Sequence, residues 1–441
     1  MTAMPRSGDH PMLRRPERSI PMRRVGDSIH EDGSMRWDWM ALRTSMTDAI
    51  LKSATPERGD RLFPTDLRRL RHGGGLGLAH GAAGVLYALA TAGAGTVPHH
   101  VDWLIHATRR AEDPHAGFYD GLHGVAHLLD YLGRCGEARM TLERAMELTP
   151  RVRSHGLFGG LAGIGLNLLH FAWIAADPSL HDAAIRLADR LAGSVGGSDP
   201  ISDLPARAGL MHGFCGPALF FVRLYEDTAD DTFLDLAAAA LRRDLGSCET
   251  TRHGTVQVRQ GGRSLPSLAT GSAGVGLVIR EYLRHRDDEG LAGVQAGIRR
   301  ACQVELVARP GLFEGRAGLM AYLSQVTEPM PETGPDPSLK LHLRRLIPHA
   351  LGGGPHADGP GDRPAADSMD LATGSAGVLL VLRMVLDRGA FLPFLTPRSP
   401  LEMVWGCGWW TSAAHRYPEK GNREPSGRAA PLPETPAERC R

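Results

Sequence analysis

The stretch Leu78-Ala79-His80-Gly81-Ala82-Ala83-Gly84-Val85 holds two glycines three residues apart, a histidine before the first and an apolar run after the second. One G-x-x-G says nothing. The pattern returns at Asp120-Gly121-Leu122-His123-Gly124, Gly159-Gly160-Leu161-Ala162-Gly163, His212-Gly213-Phe214-Cys215-Gly216, Thr270-Gly271-Ser272-Ala273-Gly274, Glu314-Gly315-Arg316-Ala317-Gly318 and Thr373-Gly374-Ser375-Ala376-Gly377. Seven copies, spaced 39 to 59 residues apart, mean a repeat architecture.

Each repeat reads as two helices. Behind the glycines lie runs such as Val85 to Leu89 or Ile164 to Trp173, apolar nearly all round as in helices buried on both sides. Gly93 is placed to stop the first. Before each motif lies a more amphipathic helix, expected over 37–54, 101–111, 138–148, 180–192, 232–245, 290–308 and 338–346, with Arg and Asp marking a solvated side. No strand-like alternation is long enough to matter. An open stack would need polar capping repeats, and the first and last motifs are as apolar as the middle ones. The sequence therefore predicts an all-α fold: a seven-fold α/α toroid, a double ring of outer and inner helices.

Glycine, 54 of 441 residues, stands well above the roughly 7% usual in proteins, and the inner helix starts account for much of the excess: residues without Cβ permit close approach where helices converge. Seven helix N-termini facing one mouth would also favour negative charge there. Fifty Lys plus Arg balance 49 Asp plus Glu, which gives no reason to expect nucleic acid or a membrane surface as partner. No apolar run reaches the roughly 18 residues of a membrane span. Six scattered cysteines without a C-x-x-C pair read as a reduced, cytoplasmic chain.

Equivalent positions in a ring face the same place. The residue before the first motif glycine is His80, Asp120, Gly159, His212, Thr270, Glu314 or Thr373. Thr270 and Thr373 read as helix N-caps. His80, His212, Asp120 and Glu314 are the candidate catalytic residues, because ionisable groups beside apolar helices cluster at sites. Cys215 reads as a small core residue, Ser272 and Ser375 as packing residues, and His99, His100 and His155 as loop residues. His123 and His127, one turn apart, have a metal-compatible spacing but read as two satisfied histidines.

These motifs resemble the lanthionine synthetase C-like family over about Trp37 to Leu395, and more narrowly the cyclase region of class III lanthipeptide synthetases. Residues 49–64 resemble the opening of that region and Phe391-Leu392-Pro393-Phe394-Leu395 its ending. The resemblance implies addition of peptide Cys thiols to dehydroalanine or dehydrobutyrine, forming (methyl)lanthionine or labionin rings. The partner it implies is a precursor peptide bearing dehydrated Ser or Thr together with Cys. It places an acid/base histidine at His212. Zinc-dependent members hold the metal with a Cys two residues before one motif glycine and a Cys-His pair before the next. Those slots here are Ala269 and Phe313-Glu314, so no zinc cofactor is expected.

Without zinc, a general base must deprotonate the thiol, and histidine suits neutral pH. The enolate formed on addition must then be protonated, with His212 or His80 as carriers and Asp120 or Glu314 orienting a histidine. Nothing in the chain resembles the kinase and lyase domains of class III synthetases, so either a separate kinase/lyase protein is the expected partner or the chain is a split or truncated synthetase. A disordered tail is expected over 1–36, the toroid over 37–395 and a Pro/Trp-containing disordered extension over 396–441. Two other functions fit less of the pattern: a non-catalytic scaffold for the peptide or a partner of a split synthetase, and a glycosidase using Asp120 and Glu314.

Overall fold

A helix that is apolar on every side has to be covered on every side, and the seven runs behind the glycines cover one another. The computed structural model describes residues 38–66, 75–95, 97–197, 207–326, 336–350, 368–387 and 391–395. Among them are fourteen helices: α1 (Trp39–Lys52), α2 (Ala82–Thr91), α3 (Pro98–Arg110), α4 (Leu122–Tyr131), α5 (Cys135–Leu148), α6 (Leu161–Ala175), α7 (Pro178–Val195), α8 (Cys215–Thr228), α9 (Asp231–Leu245), α10 (Ser272–Leu283), α11 (Glu289–Cys302), α12 (Arg316–Val326), α13 (Pro337–Ala350) and α14 (Ser375–Asp387). Odd-numbered helices form the outer layer. Even-numbered helices form the inner ring, in which each touches the next and α14 touches α2. The expected tails, 1–36 and 396–441, lie outside the described residues.

A single hydrogen bond, repeated, closes the ring. The residue two before each motif glycine donates its amide to the carbonyl of the equivalent residue in the next repeat: Ala79 to Tyr119, then Phe158, Met211, Ala269, Phe313 and Ala372, and from Ala372 back to Ala79, all at 2.7–3.0 Å. The next layer inward is Leu78, Phe118, Leu157, Leu210, Leu268, Leu312 and Leu371, each at most 1% exposed. The second motif glycine of each repeat sits against this layer. A Cβ on Gly124 would lie 2.9 Å from Leu78, and one on Gly318 2.9 Å from Leu268. Side chains at these positions would push the repeats apart.

The two layers start differently. Outer helices α1, α7, α9 and α11 are capped by Asp38, Asp177, Asp230 and Asp288, whose carboxylates accept first-turn amides. Inner helices α2, α4, α6 and α10 have glycine at that place and α8 has Phe214, none with a side-chain cap. Several of their first amides bond instead to carbonyls seven residues back, as Ala82 to Gly75 and Leu122 to His115. In the fourth repeat Asp244 of α9 accepts from the amides of Gly209, Phe214 and Cys215.

Local chemistry corrects some expectations. Pro98 at the first position starts α3 early, so His99 and His100 are helical rather than in a loop. Gly93, with φ +68°, ends α2 as expected. A three-stranded antiparallel sheet, β1 (Cys248–Thr250), β2 (Val256–Gln260) and β3 (Arg263–Leu265), lies between α9 and α10 in that order. Only Val256 and Val258 alternate inward, too short a pattern to read in advance; Val256 packs on Gly297 of α11. Of the four described cysteines, Cys215, Cys248 and Cys302 are free thiols. No described helix is long and apolar enough to cross a membrane.

Phe391 to Leu395 lies in the lumen of the ring. The Tyr87 hydroxyl donates to the Phe391 carbonyl at 2.6 Å, and Arg223 donates to the Phe394 carbonyl at 2.9 Å. The Phe394 ring packs on Phe118, His127 and His170. Arg223 is buried and paired with the fully buried Glu281 at 2.6 Å.

Candidate active site at the mouth of the ring

The hydrogen-bonded ring carries one residue of each repeat to the same face. His80, Asp120, Gly159, His212, Thr270, Glu314 and Thr373 each follow a ring residue directly. Six of the seven are partly exposed between buried neighbours, and His80 is 9% exposed. The floor beneath them is aromatic. Tyr119, Phe158 and Phe313 meet with centroids 5.6–6.4 Å apart. Of the seven ring residues, Phe158 alone opens to solvent.

The structure brings the two candidate histidines to this opening. His212 lies 5.1 Å and His80 6.3 Å from the Phe158 ring. His155 bonds to the His212 backbone and is itself buried and neutral-leaning: burial first, then the Arg243 charge, pushes its pKa down.

The two candidate carboxylates do not orient those histidines in the way expected. Asp120 accepts from His115 Nδ1 at 3.2 Å, and that bond raises the His115 pKa. Asp120 also leans over Gly159, where a Cβ would meet its Oδ2 at 2.4 Å. This explains why the third repeat has glycine where others carry a functional side chain. Glu314 accepts from the Thr270 hydroxyl at 3.0 and 3.2 Å.

His80 instead has a carboxylate partner that the sequence reading missed. Its Nδ1 lies 3.2 Å from Oδ2 of Asp370, which is 1% exposed. Burial acts to raise the Asp370 carboxyl, but hydrogen bonds from His80, Thr373 and Thr65 outweigh it and hold the pKa down at about 2. The signal was present in the chain: five repeats have glycine four residues before the motif glycine, at 77, 117, 156, 209 and 311, and the seventh has Asp370.

Other expectations change here. Thr270 and Thr373 are not N-caps: Gly271 caps α10, and the two hydroxyls donate to Glu314 and to Asp370. At the inner helix N-termini several first amides are already taken, by backbone carbonyls as at Ala82, Ala83, Leu122 and His123, or by Asp244 as at Phe214 and Cys215. Cys215 is a core residue; burial, then the Asp244 charge, pushes its pKa well up. His123 and His127 share Asn167, which donates to His123 Nδ1 at 3.1 Å and accepts at Oδ1 from His127 at 3.2 Å. Both are satisfied histidines, as expected.

The positions where the resemblance would put zinc ligands do not fit the ion. Ala269 and Phe313 have no side-chain donor atom, and Glu314 is engaged by Thr270. Among the described residues no group of three or more His, Cys, Asp or Glu is arranged to hold a metal ion.

No family profile matches the chain. It is 43% identical over 367 residues to "Probable SapB synthase" of Streptomyces coelicolor, an alignment covering 82% of this chain. The chain spans 39% of that relative's length. Among solved structures it is similar to "Nisin cyclase", with a TM-score of 0.56 at 14% identity, over 74% of this chain and 92% of the other.

Proposed function

We propose that the chain, which resembles the lanthionine synthetase C-like family and is similar to "Probable SapB synthase" and "Nisin cyclase", is a lanthipeptide cyclase acting in the cytoplasm without zinc. Its substrate is a precursor peptide carrying dehydroalanine or dehydrobutyrine and a free cysteine. Dehydration of Ser and Thr precedes this step, and a kinase/lyase protein is the proposed source of the dehydrated peptide. The product is a (methyl)lanthionine or labionin ring.

The observation that carries this reading is the convergence of His80 and His212 on Phe158 at the mouth. One histidine takes the proton of the peptide thiol, since the thiolate is the nucleophile. The sulfur attacks the alkene β-carbon, and the alkene electron pair moves into the adjacent carbonyl as an enolate. The other histidine returns a proton to the α-carbon, so that S–H adds across C=C with nothing left over. An imidazolium beside the enolate stabilises its charge. Asp120 and Glu314 line the same face as acceptors for peptide N–H groups, and Phe158 gives the substrate an apolar surface.

Cyclisation leaves mass unchanged, so the test is incubation with a dehydrated, thiol-containing peptide, then thiol alkylation and mass spectrometry. Loss of alkylation in step with protein is expected. His212→Ala should slow it by roughly 10²–10⁴-fold; an unchanged rate would remove His212 from the mechanism. A chelator should leave the rate unaltered, and abolition by chelator would overturn the zinc-independent reading.

A further inference from the structure

We propose that Asp370 is a positioning residue that makes His80 the thiol base of this site, leaving His212 to return the proton; this rests on the cyclase function above.

Three separate segments converge on the Asp370 carboxylate. Oδ1 accepts the Thr373 amide at 2.7 Å, the Thr373 hydroxyl at 2.9 Å and the Gly374 amide at 3.2 Å. Oδ2 accepts the Thr65 hydroxyl at 2.7 Å and faces His80 Nδ1 at 3.2 Å. Thr65 is tied to the same place by its neighbour, because the Pro64 carbonyl accepts the Met369 amide at 2.9 Å. Both carboxylate oxygens are thus fixed, and the one facing His80 has its direction set from outside the seventh repeat.

The consequence for His80 is a choice of tautomer. A carboxylate at Nδ1 requires that nitrogen to carry the proton, so Nε2 is the nitrogen with the lone pair. A ring held this way has one basic atom in one orientation, next to Phe158. When it takes a proton, the imidazolium has a fixed negative charge at 3.2 Å. This is the arrangement in which a third group orients a base.

The geometry also separates this role from mere support. The repeats that have glycine at the place of Asp370 close the same backbone ring. The carboxylate is therefore not needed for closure.

The test compares wild type, Asp370→Asn, His80→Ala and the double variant in the alkylation assay, with kcat and KM resolved. Asp370→Asn should lower kcat by about 10²-fold or more with KM within a few-fold. Added to His80→Ala it should change kcat no further, because both act through one imidazole. Thr65→Val, which deletes one donor and lies outside the helices, should lower kcat several-fold in wild type and not in His80→Ala. It decides the matter if Asp370→Asn does not fold. Active wild type with kcat unchanged in these variants, or with additive losses, overturns the positioning role alone. Wild type that closes no rings overturns the cyclase function and the proposal with it.

Discussion

Gly84 of the first repeat packs against Leu371 of the seventh: a Cβ on Gly84 would stand 2.8 Å from the Leu371 Cβ and 1.8 Å from the Leu78 carbonyl oxygen. Neither neighbour is a flexible tip, so Gly84→Ala must move backbone. Overpacking of this kind costs about 1–3 kcal/mol or more, and the variant is expected to unfold at lower denaturant. Gly293, exposed within α11 and with nothing within 4 Å, is the control. Gly293→Ala should stabilise by up to about 1 kcal/mol through helix propensity. Equal midpoints for the two variants would show that the close approach does not constrain the ring.

The glycine beside Asp120 gives a functional counterpart. Gly159→Ala places a methyl against the Asp120 carboxylate, and the carboxylate must turn away from the mouth. A displacement of this order at a site can cost up to about 10²-fold in rate. The expected result is slower ring closure with a melting temperature close to wild type. An unaltered rate would mean that Asp120 does not meet the substrate.

Glu281 is fully buried between Arg223 and Arg280. Burial acts to raise its carboxyl, yet the two guanidinium groups hold it below the usual range. Glu281→Leu leaves Arg223 buried without that partner and should cost about 3–5 kcal/mol in chemical denaturation. The exposed Glu249, paired with Arg259 in the sheet, provides the contrast: Glu249→Leu should change stability by about 1 kcal/mol or less. Comparable losses would contradict the lumen pair as a fixed element.

Acid should weaken the fold in two stages. Burial pushes the His123 pKa down to about 3, and burial, then the His170 charge, lowers that of His127. Groups depressed in the folded state bind protons more readily in the unfolded chain. Their contribution is therefore complete above about pH 6.5 and falls as pH drops below it. Asp370, depressed to about 2, contributes fully above about pH 4 and is lost towards pH 2. Denaturation midpoints between pH 7.5 and 4.5 should fall, with a shallower fall in His123→Gln. A parallel slope in that variant would exclude His123 as a source.

The ring and its site were legible to different depths. Seven glycine pairs before apolar runs specify helix count, layer order and closure, because close packing at the axis admits no Cβ. They also mark His80, Asp120, His212 and Glu314, since equivalent positions share a face. What each side chain bonds to was not legible. Asp120 meets His115 and Glu314 meets Thr270, while His80 meets a residue six repeats away in the chain. Such pairings depend on rotamers and on which repeat supplies a smaller residue, as Gly159 does for Asp120. Asp370 could have been found only by asking why the seventh repeat has a carboxylate at a place where five others have glycine.

Closure of the ring also sets a timetable. His80 and Asp370 lie 290 residues apart, so at about 5–20 residues per second of synthesis the histidine waits roughly 15–60 s on the ribosome for its carboxylate. Every other inner-helix interface can form between neighbours as they emerge, whereas the seam between the first and seventh repeats must join last. A half-made chain can already be helical and still hold its proposed base unset. On the proposed mechanism, closing the ring is what sets the base, and a nascent or nicked ring would lack the carboxylate that positions His80.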